Sequence, residues 1–385
     1  MTDSAHPSLG LNDDILPLRE AVGNRRVVLG HDWLTGMRGG ERVFEYYCRA
    51  FPDAPVVTLI HNRQAISDVI NAHPIQTSFL NRIPGVDRHY RNLLPLMPLA
   101  ARRLKLPDAA LLLTNSHCVA KSFRKPAGAK HLCVCFTPMR YAWTFFEEYF
   151  GDSRLKAMAA KPLLAQLRRW DRRTADEVDL FIAISKHVAD RIQRFYGRES
   201  EIVYPAVDTI RCTPSPDGRC SADYDLIVSA LVPYKRIDLA VELYSKKGWP
   251  LKVVGDGGMI EKLKRMAGPT VQILGGLSDD EVRELYRNCR LLVFPGEEDY
   301  GIVPLEAQAC GRPVVAYGKG GALETVVDGL SGVFFEEQTL ESLEAAVMKC
   351  AATEFSTDAI RANAVKFGPE QFILGMAQSV AKVLK

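Results

Sequence analysis

Glu298 and Glu306 enclose seven residues, with Gly301 among them, where a strand-like run gives way to a helical one. The apolar run Leu291-Leu292-Val293-Phe294 just before them reads as a buried parallel strand. From about Pro304 the pattern turns helical, with Leu305, Ala309 and Cys310 on one side. Glu306 is then expected in the first turn of that helix, whose leading amides have no carbonyl partner and can bind an anion. A loop of this kind can hold a phosphate on backbone N–H groups and a sugar hydroxyl on a carboxylate. Those are the requirements of a sugar-nucleotide site.

Other pieces stand at the ends of strand-like runs. His31-Asp32-Trp33-Leu34-Thr35-Gly36-Met37-Arg38-Gly39-Gly40-Glu41 is a glycine-bearing loop opening a helix. Gly39 and Gly40 allow a ligand close to the backbone, and a plain tight turn explains the pair as well. Leu231-Val232-Pro233-Tyr234-Lys235-Arg236 puts two cations past a strand end, where they would neutralise a diphosphate leaving group; a solvated Lys-Arg pair is the alternative. Val254-Gly255-Asp256-Gly257-Gly258 and Gly318-Lys319-Gly320-Gly321-Ala322-Leu323-Glu324-Thr325 are further strand-to-helix turns.

These pieces must be positioned by alternating strands and helices. Strands are expected at Arg26–Gly30, Val56–Ile60, Ala110–Thr114, His131–Phe136 and Leu180–Ile184, with helices at Gly40–Ala50 and Lys186–Tyr196. The turn-rich run Cys212-Thr213-Pro214-Ser215-Pro216-Asp217-Gly218 breaks the alternation. It then restarts with strands at Asp225–Ser229, Leu251–Val254, Val271–Leu274, Leu291–Phe294 and Val314–Ala316. Continuous Val/Ile/Leu strands joined by amphipathic helices imply parallel sheets covered on both faces. The expected organisation is a poorly ordered lead-in (1–24), a first Rossmann-like domain (25–205), a linker (206–223), a second Rossmann-like domain (224–366) and a C-terminal helix (367–385). Ligands of such sheets sit outside the carboxyl ends of the strands, hence in a cleft between two facing domains.

With 385 residues, 47% hydrophobic and 25% charged, the composition is that of an ordinary globular chain of two domains. No apolar run approaches the roughly 20 residues needed to cross a bilayer. Without a secretory signal, the chain is expected to be cytoplasmic. The nine cysteines show no zinc-type spacing, and Cys133 and Cys135 read as buried thiols. The net charge of +3 is unevenly placed, with 29 Lys and Arg against 21 Asp and Glu in residues 1–205, and 20 against 25 thereafter. A basic first half suits an anionic partner such as a membrane surface or a phosphorylated acceptor. Its clusters are Arg102-Arg103-Leu104-Lys105 and Arg168-Arg169 with Arg172-Arg173; solvated helix faces are the plain reading of each. No nucleic-acid reading module is recognisable.

Together the pieces resemble the retaining glycosyltransferases of the GT-B fold, family-4 type, over nearly the whole chain. The resemblance rests on the Glu298-to-Glu306 element, Val232-Pro233-Tyr234-Lys235-Arg236-Ile237-Asp238, Gly320-Gly321 with Glu324, and Asp328-Gly329-Leu330-Ser331-Gly332-Val333. In the first half Ile184-Ser185-Lys186-His187-Val188-Ala189 and Gly39-Gly40-Glu41-Arg42-Val43 match as well. Phe136-Thr137-Pro138-Met139-Arg140-Tyr141-Ala142-Trp143 resembles a subgroup of mannosyltransferases that build bacterial polysaccharide and lipopolysaccharide. The resemblance implies that Lys235 holds the donor diphosphate and stabilises the departing nucleotide, with Arg236 beside it. Amides of Gly301, Ile302 and Val303 would bind phosphate oxygens, Glu306 the ribose and Glu298 the transferred sugar. The resemblance also implies that the first domain binds the acceptor, that the second binds the nucleotide sugar and that the C-terminal helix returns to the first. Gly39 and Gly40 would meet the diphosphate from the opposite domain. His117 and Arg140 are candidates for the acceptor side, and a helix-capping or core-edge role is an equal reading of His117. No metal or other cofactor is implied; the nucleotide sugar, GDP-mannose first, is a substrate. The implied partners are that donor, a lipid-linked or glycan acceptor and the inner face of an anionic membrane, with no nucleic acid. The nucleotide would leave from the face the acceptor enters, unlike the two-carboxylate chemistry of glycosidases.

Two departures bear on activity. Position 230, where the family usually has an arginine, is Ala230, and Phe136 stands where many relatives have histidine. They motivate a second reading, a non-catalytic nucleotide-sugar-binding partner of a polysaccharide synthase complex. A sugar-nucleotide epimerase would share the architecture but not the Glu298-to-Glu306 element.

Overall fold

Parallel strands that are buried on both faces need apolar residues at consecutive positions, and the central strands here have them. In the computed structural model, which describes residues 15–143, 154–216 and 223–385, every position of Val27–His31 and of Leu111–Ser116 is buried. The chain divides into two compact units. The first takes in residues 1–184, 188–204 and 370–385, and the second residues 185–187 and 205–369.

The first unit carries a seven-stranded sheet in the order β3-β2-β1-β4-β5-β6-β7. Its strands are β1 (Val27–His31), β2 (Val56–Thr58), β3 (Ile75–Thr77), β4 (Leu111–Ser116), β5 (Lys130–Cys135), β6 (Leu180–Ala183) and β7 (Ser200–Ile202). The second carries six strands in the order β10-β9-β8-β11-β12-β13. These are β8 (Asp225–Val228), β9 (Leu251–Val254), β10 (Val271–Gly275), β11 (Leu292–Phe294), β12 (Val314–Tyr317) and β13 (Gly332–Phe335). All neighbouring strands are parallel. Within each sheet, consecutive strands are joined through helical segments, so both units are doubly wound. The helix Gly39–Ala50 shows how: Val43, Phe44, Tyr47, Cys48 and Ala50 are buried, while positions between them are not.

Several expectations need correction. The lead-in expected over residues 1–24 is helical from Leu16 to Val22, because Leu18 and Val22 are buried and Pro17 suits a first turn; residues 1–14 lie outside the described residues. Of the expected linker, 217–222 lie outside them too, and 206–216 pack into the second unit, where Arg361 donates to the carbonyls of Cys212 and Thr209. The C-terminal helix Pro369–Val383 packs into the first unit, with Phe372 against Tyr46 and Tyr47 and Ser379 donating to Glu201. Cys133 and Cys135 are buried as expected, and burial pushes the Cys133 thiol up to about 12.

A buried ion pair braces the segment that carries Arg140. Lys121 Nζ lies 2.8 Å from Asp171 Oδ1 and donates to the Asp171 carbonyl and the Thr174 hydroxyl. Asp171 also accepts from Trp143 Nε1 (2.7 Å) and the Tyr196 hydroxyl (2.8 Å), and Arg168 donates to the Ala142 carbonyl. Removing the ammonium leaves a buried carboxylate without its counter-charge. Lys121→Met should therefore cost about 3–5 kcal/mol of unfolding free energy, read as a lower urea midpoint. An unchanged midpoint would show that the pair does not brace this region.

Candidate functional site

A doubly wound sheet opens a crevice where its strand order reverses, outside the carboxyl ends of the two strands that flank the reversal. In the second unit those strands are β8 and β11, and in the first β1 and β4. The loops that follow β8 and β11 are those that hold Lys235 and Glu298.

Backbone approach forces these two loops together. A Cβ on Gly296 would fall 2.7 Å from Lys235 Cα, so a side chain there would push the loops apart. The loop after β12 closes from the other side: the Gly321 amide donates to the Glu298 carbonyl at 2.8 Å, and a Cβ on Gly321 would fall 2.2 Å from the Tyr300 carbonyl oxygen. The consequence is an ion pair between Lys235 Nζ and Glu298 Oε1, their side chains 16% and 13% exposed. Two positions that the sequence places 63 residues apart thus meet (Lys235 and Glu298).

The helix beyond them starts earlier than its sequence suggests. Gly301 takes φ 111° as the residue before the helix, which runs Ile302–Ala309. Expected in the first turn, Glu306 instead begins the second, and the amides of Gly301, Ile302 and Val303 form the opening. Glu306 Oε2 accepts a hydrogen bond from the Tyr286 hydroxyl at 2.9 Å. Burial, with Glu306 beside it, pushes the Tyr286 phenol well above its usual range, so it stays a donor.

Arg236 is directed elsewhere. It is the only non-glycine described residue in the left-handed region, at φ 50°. Its guanidinium donates to Gln338 Oε1 (3.2 Å) and lies 3.6 Å from Asp238, while Gln338 Nε2 donates to the Pro295 carbonyl. Arg236 therefore braces the loop of Glu298. Ala230 is exposed at the end of β8.

Two motifs that looked separate in the sequence come together in the second unit. The Ser185 hydroxyl donates to the Asp299 carbonyl at 2.5 Å, and the amides of Lys186 and His187 donate to the Glu324 carboxylate at 2.8 and 3.1 Å. The His187 imidazole lies 3.7 Å from Glu297 and 4.0 Å from Asp299.

In the first unit the reversal is organised by a residue that sequence reasoning passed over. Asp32, fully buried just past β1, accepts from the amides of His117, Cys118, Val119 and Ala120 at 2.6 to 3.0 Å. His117 Nδ1 lies 3.1 Å from Asp32 Oδ2, and its ring packs edge-on to Trp33. Burial lowers the His117 pKa against the pull of Asp32, with Arg140, Arg38 and Arg91 adding to the lowering. His117 and Arg140 are thus near one another in the field of three arginines. A buried aspartate directly after an apolar strand was the available signal for Asp32.

Family models match both halves. Residues 37–211 match Glycosyltransferase Family 4, and residues 223–367 match Glycosyl transferases group 1. The chain is a member of the family-4 glycosyltransferases of the GT-B fold. Among curated proteins it is similar to the GDP-mannose-dependent alpha-(1-6)-phosphatidylinositol monomannoside mannosyltransferase of Mycolicibacterium smegmatis, 30% identical over 46% of this chain and 54% of that one. A D-inositol 3-phosphate glycosyltransferase of Rhodococcus erythropolis is 28% identical over 54% of each. The chain spans about half the length of these curated relatives. Among solved structures, Anabaena HepE in complex with UDP superposes with TM-score 0.65 at 17% identity, over 93% of this chain and 99% of that one. Sucrose-phosphate synthase from Thermosynechococcus elongatus gives 0.68 at 16%, over 92% and 98%. At such identities these two establish the fold.

For this glycosyltransferase, Gly39 and Gly40 begin the helix Gly39–Ala50, and neither has positive φ. A Cβ on Gly39 would meet no atom of the described residues within 4 Å, so none of them demands glycine there. Next to them, His31 Nδ1 donates to the Trp33 carbonyl and burial lowers its pKa to about 4. No group of three or more His, Cys, Asp or Glu among the described residues could hold a metal ion.

Glu41 gives a pH-dependent test of this corner. Burial raises its pKa from 4.5 to about 7, against the opposing pull of its own amide and of Arg38. The native state then holds a proton that the unfolded chain releases from about pH 4.5 upward, so this group's contribution falls as pH rises toward and through 7. Relative to the wild type, Glu41→Gln should gain about 2 kcal/mol of stability between pH 5 and pH 8 in urea titrations. A difference that does not vary with pH would show Glu41 ionised throughout.

Proposed function

We propose that this protein is a retaining hexosyltransferase that moves a sugar, mannose first, from a nucleotide sugar, GDP-mannose first, to a lipid-linked or polysaccharide acceptor in cell-surface glycan synthesis. The observation that carries it is the assembly at the β8–β11 reversal. One cation, one carboxylate and the opening amides of the helix Ile302–Ala309 lie within loops locked by glycine contacts. Mannose and GDP are favoured by the mycobacterial relatives named for GDP-mannose, whereas HepE was solved with UDP, which keeps the base an experimental question.

In this reading the amides of Gly301, Ile302 and Val303 and the Lys235 ammonium take the diphosphate, and the Glu306 carboxylate takes a ribose hydroxyl. Glu298 contacts the sugar, and His117 and Arg140 serve the acceptor. The anomeric C–O bond to the β-phosphate breaks as the acceptor hydroxyl bonds to the same face of that carbon. The hydroxyl proton passes to the departing phosphate oxygen, so configuration is retained and no metal or other cofactor enters. Charge developing on that oxygen is what Lys235 would stabilise.

A second reading, a non-catalytic nucleotide-sugar-binding partner in a synthase complex, draws on two observations. Position 230 is an exposed alanine, and Arg236 is engaged by Gln338 and Asp238. Incubating the protein with GDP- and UDP-sugars, with and without membrane lipid extract, separates the readings. Nucleotide release that depends on the extract supports the enzyme, and GDP binding without release from any donor supports the partner. For the enzyme, Lys235→Ala should lower turnover by about 10²–10³, the loss of one strong transition-state donor. Glu306→Ala should chiefly raise KM for the donor. Wild-type kinetics in both variants would overturn the assignment.

A further inference from the structure

The helix Asp279–Asn288 buries one residue of its ten, and that residue is Tyr286. Packing alone at such a position is met by phenylalanine or leucine; a phenol adds a hydroxyl that costs free energy unless it is bonded. Here the bond runs to Glu306 Oε2, at 2.9 Å, from a side chain that is 2% exposed. The helix holds the ring in place from both ends. Ser278 and Glu281 close a capping box at its start, and near its end Arg287 donates to the Thr213 carbonyl and hydroxyl at 2.9 and 2.7 Å. The helix Ile302–Ala309 is anchored as well, since Gln308 donates to the Thr325 carbonyl and accepts from Asn363. A glutamate on an anchored helix still has its side-chain torsions to settle. The Cys212 and Cys310 thiols nearby hydrogen-bond to one another and are weak donors in any case.

We propose that Tyr286 is a positioning residue for the donor, its hydroxyl fixing the Glu306 carboxylate in the orientation that receives a ribose hydroxyl. The inference rests on the reading above in which Glu306 takes that hydroxyl. A glutamate left to rotate gives up that freedom when the ligand binds, and one already held has less to give up. Burial, with Glu306 beside it, keeps the phenol protonated, so the donor does not titrate away. Being buried, Tyr286 acts through Glu306 and not on the ligand.

The test compares GDP and UDP with their 2′,3′-dideoxy analogues by calorimetric titration of the full chain. Wild type should bind its preferred nucleotide about tenfold more tightly than the matching analogue, the worth of one hydrogen bond to a charged group. Tyr286→Phe should cut that ratio to about threefold or less. Its affinity for the analogue should be that of the wild type, which shows the variant folded. In turnover, KM for the donor should rise while kcat stays within about threefold. In a Glu306→Ala background, where no carboxylate is left without its donor, adding Tyr286→Phe should change nothing. Wild type that binds ribose and dideoxyribose forms equally, or binds neither nucleotide, overturns the ribose reading and this proposal with it. A ribose preference that Tyr286→Phe retains in full, or a further loss in the double variant, overturns this proposal alone.

Discussion

The ion pair between Lys235 and Glu298 is the contact on which the second unit's chemistry turns. Neither residue reaches the other through its own secondary structure; each sits on a loop, and the loops meet because Gly296 gives the Lys235 backbone room. A mostly buried ammonium and carboxylate hold each other in one geometry far better than two solvated ones, since water screens them less. Under the proposed function the pair also sets what a ligand must do. A diphosphate, with more negative charge than one carboxylate, would compete for the ammonium and release Glu298 toward hydroxyl groups, so that binding and repositioning of that carboxylate would be one event.

The first unit uses a related device with the signs rearranged. Asp32 is a buried anion compensated by four backbone amides, and His117 lies beside it. Amide donors are fixed by the chain and cannot titrate. Asp32 therefore fixes the turn 117–120 to the end of β1, and with it the placement of His117. Desolvation and the three arginines favour neutral imidazole, which retains a lone pair for a hydroxyl.

Much of this was legible in the sequence, for identifiable reasons. Strands such as Leu251–Val254 and the helix Lys186–Tyr196 fall where the apolar pattern puts them, because central parallel strands and amphipathic helices leave uninterrupted signatures. The three-residue strands Ile75–Thr77 and Ser200–Ile202 were not seen: edge strands are half-buried, too short to show a period, and defined by pairing rather than by side chains. Lys235, Glu298 and Glu306 were legible as residue types at strand ends. Their contacts were not: Glu306 shares a hydrogen bond with Tyr286, and Arg236 turns to Gln338, 102 residues on. Asp32 escaped for the same reason, since its partners lie 85 to 88 residues away.

The absence of a cation at position 230 gives the early start of the helix Ile302–Ala309 its importance. With Ala230 exposed at the end of β8 and Arg236 engaged, Lys235 is the one charged donor that the β8 loop directs at Glu298. The rest of an anion's stabilisation has to come from the helix, whose opening carries about half a positive charge and several amides without carbonyl partners. Had the helix begun at Pro304, its first residue would have had no N–H to give. By taking a left-handed conformation, Gly301 lets the helix begin at Ile302 and puts two N–H groups ahead of the proline. The glycine between the two glutamates is thus more than a hinge in a motif. Under the proposed function, it sets backbone donors where the diphosphate would lie.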